Sequence, residues 1–324
     1  MILEIIYLVG GLALILVGAN ALTDGSSAIA RRWGVSELVI GLTIVAFGTS
    51  APELVISVMS AARGATQLAI GNVVGSNIFN ILAIIGVVAM VRPIRVAQST
   101  MSNEIPMALL AAVALLIIGN GPMLGSGGVP QINRVDSLLL LLFFAIFMRY
   151  TFHQARKQTE LESPSEPDNR SRAMSPLKAW AWVIGGLAML VGGGDLFVDG
   201  ASALASRLGV SQAIIGLTIV AAGTSLPELA TSVVAARKGK SDLAIGNVVG
   251  SNIFNIFLVA GLSGTVRPLQ FGSIGNIDLL TLTLSSLLFL AMARWGGTRI
   301  ITRSEGAILV VLYVAYTVYL ISTV

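Results

Sequence analysis

Two glutamates stand where a carboxylate is costly. Glu53 and Glu228 each lie inside a long apolar stretch, each directly behind a proline (Pro52, Pro227) and behind Gly-Thr-Ser (Gly48-Thr49-Ser50, Gly223-Thr224-Ser225). An ionisable side chain at membrane depth marks a functional site by default. Along a helix Thr49, Ser50 and Glu53 fall at i, i+1 and i+4, so their oxygens can share one face. Proline lacks the amide that would bond the carbonyl four residues back. With the adjacent glycine, this is expected to open the turn at Ala46–Gly48, and its counterpart at Ala221–Gly223, freeing backbone carbonyls for cations. Broken helices at matching positions of two halves point to a transporter's central site.

Further along, Asn72, Ser76 and Asn80 recur every four residues, as do Asn247, Ser251 and Asn255. Each set lays an oxygen-bearing stripe along an otherwise apolar helix. Two carboxylates, several hydroxyls and amides, and loosened carbonyls make an all-oxygen cage. Hard cations such as calcium take six to eight oxygens, whereas thiophilic metals want Cys or His. The chain has no Cys and a single His, His153, in a polar connection. Zinc, copper and iron are therefore poor fits.

Each feature also has a structural reading. Gly71-x-x-x-Gly75 and Gly246-x-x-x-Gly250 are helix-packing motifs, and Asn72 and Asn247 suit interhelical hydrogen bonds. The prolines could be kinks alone. Asp24 and Asp199, at the ends of apolar stretches, read as interfacial caps rather than ligands. For Glu53 and Glu228 the structural reading is weak, because the whole surrounding motif is duplicated with them.

The elements that position these residues follow from composition. The 324 residues are 55% hydrophobic and 11% charged, with a mean hydropathy of +0.87, whereas soluble domains carry about 25% charged residues. Lipid must cover much of this surface. The net charge of +4 forms no basic stripe interleaved with aromatics, so no nucleic-acid partner is expected. Apolar stretches long enough to cross about 30 Å of hydrocarbon fall near 3–22, 35–61, 68–91, 104–119, 135–151, 179–198, 210–236, 243–266, 276–293 and 305–323. Without water to satisfy the backbone these must be helices, which predicts an all-α polytopic membrane protein of ten transmembrane helices. The first stretch has Glu4 and no basic residue before it, unlike a signal peptide, and reads as a retained span.

Residues 41–57 match 216–232 except at 47, 51, 55 and 56, and residues 68–82 match 243–257 except at the last position. The offset of 175 holds from Gly10/Gly185 to Pro93/Pro268. The predicted domains are therefore a five-helix repeat at 1–152 (signature motifs 41–82), a polar cytoplasmic linker at 153–176, and a second five-helix repeat at 177–324 (signature motifs 216–257). An odd number of spans per unit inverts the second copy. With the N- and C-termini outside, sixteen of the twenty Lys and Arg residues fall on the cytoplasmic side, as the positive-inside rule asks. Trp33, Trp180, Trp182 and Trp295 then sit at cytoplasmic helix ends, as interfacial anchors do.

At these residues the sequence resembles the cation/calcium exchanger superfamily, in particular the prokaryotic sodium/calcium exchangers. The resemblance rests on GTSAPE and GTSLPE, each followed by GNVVGSNIFN. It implies four cation sites at mid-membrane and two long tilted helices, here the first and sixth spans, that slide to alternate access. It implies that Glu53 and Glu228 are the central calcium ligands and also serve sodium. Thr49, Ser50, Ser76, Thr224, Ser225 and Ser251, with the carbonyls of Ala46 and Ala221, would complete the sodium and calcium sites, and Asn80 and Asn255 would line the middle. Asn255 departs from family members that carry Asp there, including potassium-dependent ones.

The expectation is a secondary antiporter in the cell (plasma or inner) membrane that admits sodium and extrudes calcium, with Ca2+ and Na+ as substrates, lipid as its surroundings, no cofactor and no obligatory protein partner, working as a monomer. Two carboxylates neutralise one calcium ion, and three sodium ions would leave one positive charge, so exchange would be electrogenic. The rivals are a proton/calcium exchanger, in which protonation of the two glutamates releases calcium, and a cation channel with the acidic pair as selectivity element. An intramembrane enzyme finds no support, since HExxH, GxSxG and any His within a span are all missing.

Overall fold

The computed structural model describes residues 2–125, 128–161, 174–208, 221–294 and 299–323. They are overwhelmingly helical. In chain order the helices are α1 Ile2–Trp33, α2 Glu37–Thr49, α3 Ala51–Ala62, α4 Thr66–Val91, α5 Thr100–Gly119, α6 Arg134–Leu161, α7 Pro176–Arg207, α8 Ala221–Gly223, α9 Leu226–Arg237, α10 Ser241–Val266, α11 Asn276–Arg294 and α12 Arg303–Thr323. Among the described residues, eight helices can cross a membrane on their own, and α2 with α3 makes a ninth span bent by 47°. The expected seventh span, 210–236, begins in residues outside the described set; its remainder is α8 and α9. Helix α6 continues to Leu161, so the helical chain reaches past position 153, where the polar linker was expected to begin. Residues 162–173, with Arg170 and Arg172, lie outside the described residues, as does Trp295.

Helices α1 and α7 have 32 residues each, about 48 Å at 1.5 Å per residue. That exceeds the hydrocarbon thickness, so they must tilt or project beyond it. They pack antiparallel along a glycine seam with a seven-residue period. A Cβ on Gly11, Gly18 or Gly25 would come within 2.7, 2.7 and 2.8 Å of the carbonyl oxygens of Gly193, Gly186 and Ala179. Their repeat counterparts Gly186, Gly193 and Gly200 would meet the carbonyls of Gly18, Gly11 and Glu4 at 2.8, 2.9 and 2.8 Å. Without a hydrophobic drive between helices in lipid, such close backbone approach is what holds them. Because α1 and α7 are equivalent in the repeat yet run in opposite directions, the two halves are inverted copies. Trp33 at the end of α1 lies against Trp180 at the start of α7, with ring centroids 5.9 Å apart.

The most apolar windows of α4 and α10 are 83% and 94% buried, against 33% for α1 and 11% for α12. The signature helices therefore form the centre, and the remaining spans screen them from lipid. Two short antiparallel ribbons tie the halves at their ends, pairing β1 (Ile94–Arg95) with β4 (Ile300–Ile301) and β2 (Gln131–Ile132) with β3 (Leu269–Gln270).

Candidate functional site

The bent arms and the central helices meet at Glu53 and Glu228, which are 1% and 0% exposed. The arm α2–α3 does not break where the proline and glycine suggested. Its helix stays intact through Thr49, and the bend falls at Ser50, with φ −85° and ψ 7°. The reason is local. Pro52 withdraws only the amide that would have bonded Gly48, while the Ser50 N–H still donates to the Ala46 carbonyl at 3.0 Å. The expected open turn at Ala46–Gly48 is thus a bend two residues beyond its end. In the other half Ser225, with φ −95° and ψ 9°, donates instead to the Ala222 carbonyl at 3.2 Å.

Helix spacing suggested that Ser50 would share a face with Glu53. Instead the hydroxyls cross between halves. Ser50 Oγ donates to Glu228 Oε1 at 2.9 Å, and Ser225 Oγ donates to Glu53 Oε1 at 3.0 Å. The bend at each serine turns its side chain across the pseudo-twofold axis, so each carboxylate is held by the opposite repeat. Thr49 and Thr224 make further contacts with Glu228 and Glu53. Thr49 Oγ1 also lies 3.0 Å from Asn247 Oδ1 and 3.1 Å from the Val45 carbonyl.

The central helices close the site less symmetrically. Ser251 Oγ reaches Glu228 Oε1 at 3.4 Å, whereas its counterpart Ser76 donates to the Val73 carbonyl at 3.2 Å and accepts from Asn255 Nδ2 at 3.1 Å. Asn80 Nδ2 donates to Asn252 Oδ1 at 3.0 Å. Asn80 and Asn255 each open a π-helical turn, Phe79–Ile84 and Phe254–Ala260. Such one-turn bulges recur at functional sites because they re-aim side chains and carbonyls.

Four oxygens are then left over. Glu53 Oε2, Glu228 Oε2, Asn80 Oδ1 and Asn255 Oδ1 are buried with no hydrogen-bond donor. Among the described residues no Lys, Arg or His forms an ion pair with either glutamate. Buried carboxylates without a counter-charge are strongly unfavourable, and acceptor-only oxygens are what a dehydrated cation uses. No third His, Cys, Asp or Glu joins the pair among the described residues, so the polar atoms around the two carboxylates are neutral ones.

Asn72 and Asn247 take the structural part foreseen for them. Asn72 Nδ2 donates to Ser57 Oγ at 3.0 Å and to the Glu53 carbonyl at 3.4 Å, and Asn247 Nδ2 to Ser232 Oγ at 3.0 Å and the Glu228 carbonyl at 3.3 Å. They fasten each arm to its central helix at the residue that carries the charge. Ser57, Ser232 and Asn252 went unnoticed in the motif reading, although each is duplicated within the repeat. Two further buried acids, Glu104 and Asp278, were also passed over because each lies near the start of its apolar stretch. Asp24 and Asp199 stay away from the site: Asp24 pairs with Lys238 at 2.8 Å and Lys240 at 3.7 Å, and Asp199 is exposed. Lys240, in the connection between α9 and α10, has its pKa lowered by burial, partly opposed by Glu37 and Asp24.

Comparison with known proteins agrees with this geometry. Residues 3–152 and 178–322 match the family model described as sodium/calcium exchanger protein. The chain is 32% identical over 342 residues to sodium/calcium exchanger MaX1 of Methanosarcina acetivorans, covering 96% of both chains. It is 34% identical over 301 residues to inner membrane protein YrbG of Escherichia coli, covering 91% of this chain and 90% of the relative. Its fold superposes on the sodium–calcium exchanger NCX_Mj, soaked with sodium and calcium, with a TM-score of 0.82 at 32% identity over 97% of each chain. With both signature motifs inside the matched ranges and the inverted architecture shared end to end, this multi-pass membrane protein belongs to the sodium/calcium exchanger family.

Proposed function

We propose that this antiporter moves external sodium inward and expels cytoplasmic calcium through one alternately exposed site built on Glu53 and Glu228. The observation that carries the reading is the set of four donor-free buried oxygens, two of them on carboxylates held from opposite halves. Calcium takes both carboxylates together with oxygens of Asn80, Asn255, Ser76, Ser251 and the threonine and serine hydroxyls of the two bends. Several sodium ions occupy the same oxygens in its absence, with the carbonyls of Ala46 and Ala221 as further ligands. The two loads compete because the carboxylates are common to both. Ten spans with both termini outside and the linker inside give the site its two alternating entrances, and the glycine seam lets α1 and α7 shift against the centre as a pair. A single chain in the cell membrane suffices.

The near-complete burial of the site supports an occluded carrier over an open pore. Calcium uptake into vesicles under an imposed sodium or proton gradient tests the counter-ion. Sodium-driven flux is expected; flux driven by protons alone would overturn the sodium assignment, and flux needing no counter-ion would indicate a channel. Glu53→Gln and Glu228→Gln should each abolish calcium transport in a folded, inserted protein, and retained exchange in both would refute the site.

A further inference from the structure

A third buried carboxylate lies away from the exchange site. Glu104, at the end of the π-helical turn Thr100–Glu104 that starts α5, is 1% exposed. Its Oε1 accepts from Tyr150 OH of α6 at 3.2 Å, while its Oε2 is buried with no donor. One turn earlier on the same helix, the buried Thr100 hydroxyl lies within reach of the Glu104 carboxylate. Glu104 lines a cavity of about 10 Å³ with Ser36, Leu38, Val39, Leu42, Thr151 and Gln154, room for one water-sized occupant.

The other half provides an internal control. Asp278, at the start of α11, accepts from Tyr316 OH of α12 at 2.7 Å, repeating the acid–tyrosine pair of α5 and α6. There the second oxygen takes the Gly275 N–H at 2.8 Å, so nothing is left over. The first half keeps the same pair but replaces that backbone donor with a cavity. No Lys, Arg or His forms an ion pair with Glu104 among the described residues.

We propose that this cavity is a second cation site, separate from the exchange site, in which Glu104 holds one monovalent alkali ion. One carboxylate balances one unit charge, and the hydroxyls of Ser36 and Thr151 with the Gln154 side-chain carbonyl supply neutral oxygens. Calcium would want more ligands and more charge. The cavity opens where α2 and α5 begin and α6 ends, the cytoplasmic face in the topology proposed above. Its wall of Leu38, Val39 and Leu42 belongs to α2, whose first turn Ser36 caps by accepting the Val39 N–H at 3.3 Å. An ion here braces α5 and α6 against the start of the arm that carries Thr49 and Ser50.

The test uses the full chain in detergent with the exchange site disabled by Glu53→Gln and Glu228→Gln. Melting temperature is followed against NaCl and KCl, with N-methylglucamine chloride matching ionic strength. A saturable rise with sodium or potassium is expected, and the preferred ion names the occupant. Adding Glu104→Gln should remove the rise, and Gln154→Leu, which keeps the carboxylate, should move its midpoint about tenfold to higher salt for one lost ligand. Gln154→Leu decides the matter if the Glu104 variant does not fold. A rise that persists in both variants, one given equally by N-methylglucamine, or stability that follows pH with no response to alkali ions would overturn the proposal.

Discussion

The crossed serine–glutamate bonds make a prediction that motif reading would not. If Ser225 holds Glu53 and Ser50 holds Glu228, removing a serine should couple energetically to the glutamate of the opposite repeat, not to the one three residues away. A hydrogen bond to a charged group contributes about 1.5–3 kcal/mol. Ser225→Ala with Glu53→Gln should therefore show a coupling in that range, since the Ser225 bond at 3.0 Å is the close side-chain donor to that carboxylate. For Ser50→Ala with Glu228→Gln the coupling should fall at the lower end, because Ser251 at 3.4 Å can tighten when Ser50 is lost. No hydrogen bond joins Ser50 to Glu53 or Ser225 to Glu228, so those cycles should stay near the additivity limit of about 0.5 kcal/mol. The assay is reversible unfolding in mixed micelles, free of calcium and sodium, for the four singles and four doubles. Larger coupling within a repeat than between repeats would refute the crossed geometry, and with it the claim that each half's carboxylate is positioned by the other.

Other consequences follow from the packing and the charges. Gly18→Val and Gly186→Val put a side chain within 2.8 Å of backbone oxygen across the α1–α7 seam; overpacking of this kind costs about 1–3 kcal/mol and should suppress flux in vesicles, while Gly10→Ala and Gly185→Ala, which face open space within 4 Å, should leave it intact. Asn255→Asp adds a negative charge among the buried oxygens, and competition between sodium and calcium in a flux assay should shift; unchanged affinities and selectivity would mean the side chain does not face the ions. Burial lowers the Lys240 pKa below 10.5, so the unfolded chain binds that proton more tightly than the folded one. Stability should therefore rise with pH between the lowered value and 10.5, and Lys240→Met should flatten that rise in pH-dependent melting; an unchanged slope would contradict the burial of the Lys240 ammonium group.

The sequence by itself determined the material, the copy number and the orientation. Apolar runs of membrane-spanning length leave helices as the solution, because lipid offers the backbone no partner. The offset of 175 residues makes two like units, and their odd span count opposes them, as the antiparallel glycine contacts of α1 and α7 bear out. It also singled out Glu53 and Glu228, since a charge inside such runs needs a partner. Spacing along one helix misled at Ser50, where a single φ/ψ change turned the hydroxyl toward the opposite repeat. Only the tertiary structure decided which serine serves which glutamate, that Ser251 and not Ser76 reaches its carboxylate, and that Glu104 keeps an oxygen its counterpart Asp278 gives to a backbone amide. These are choices among partners from different helices, and a periodic pattern along one helix carries no information about what lies across from it.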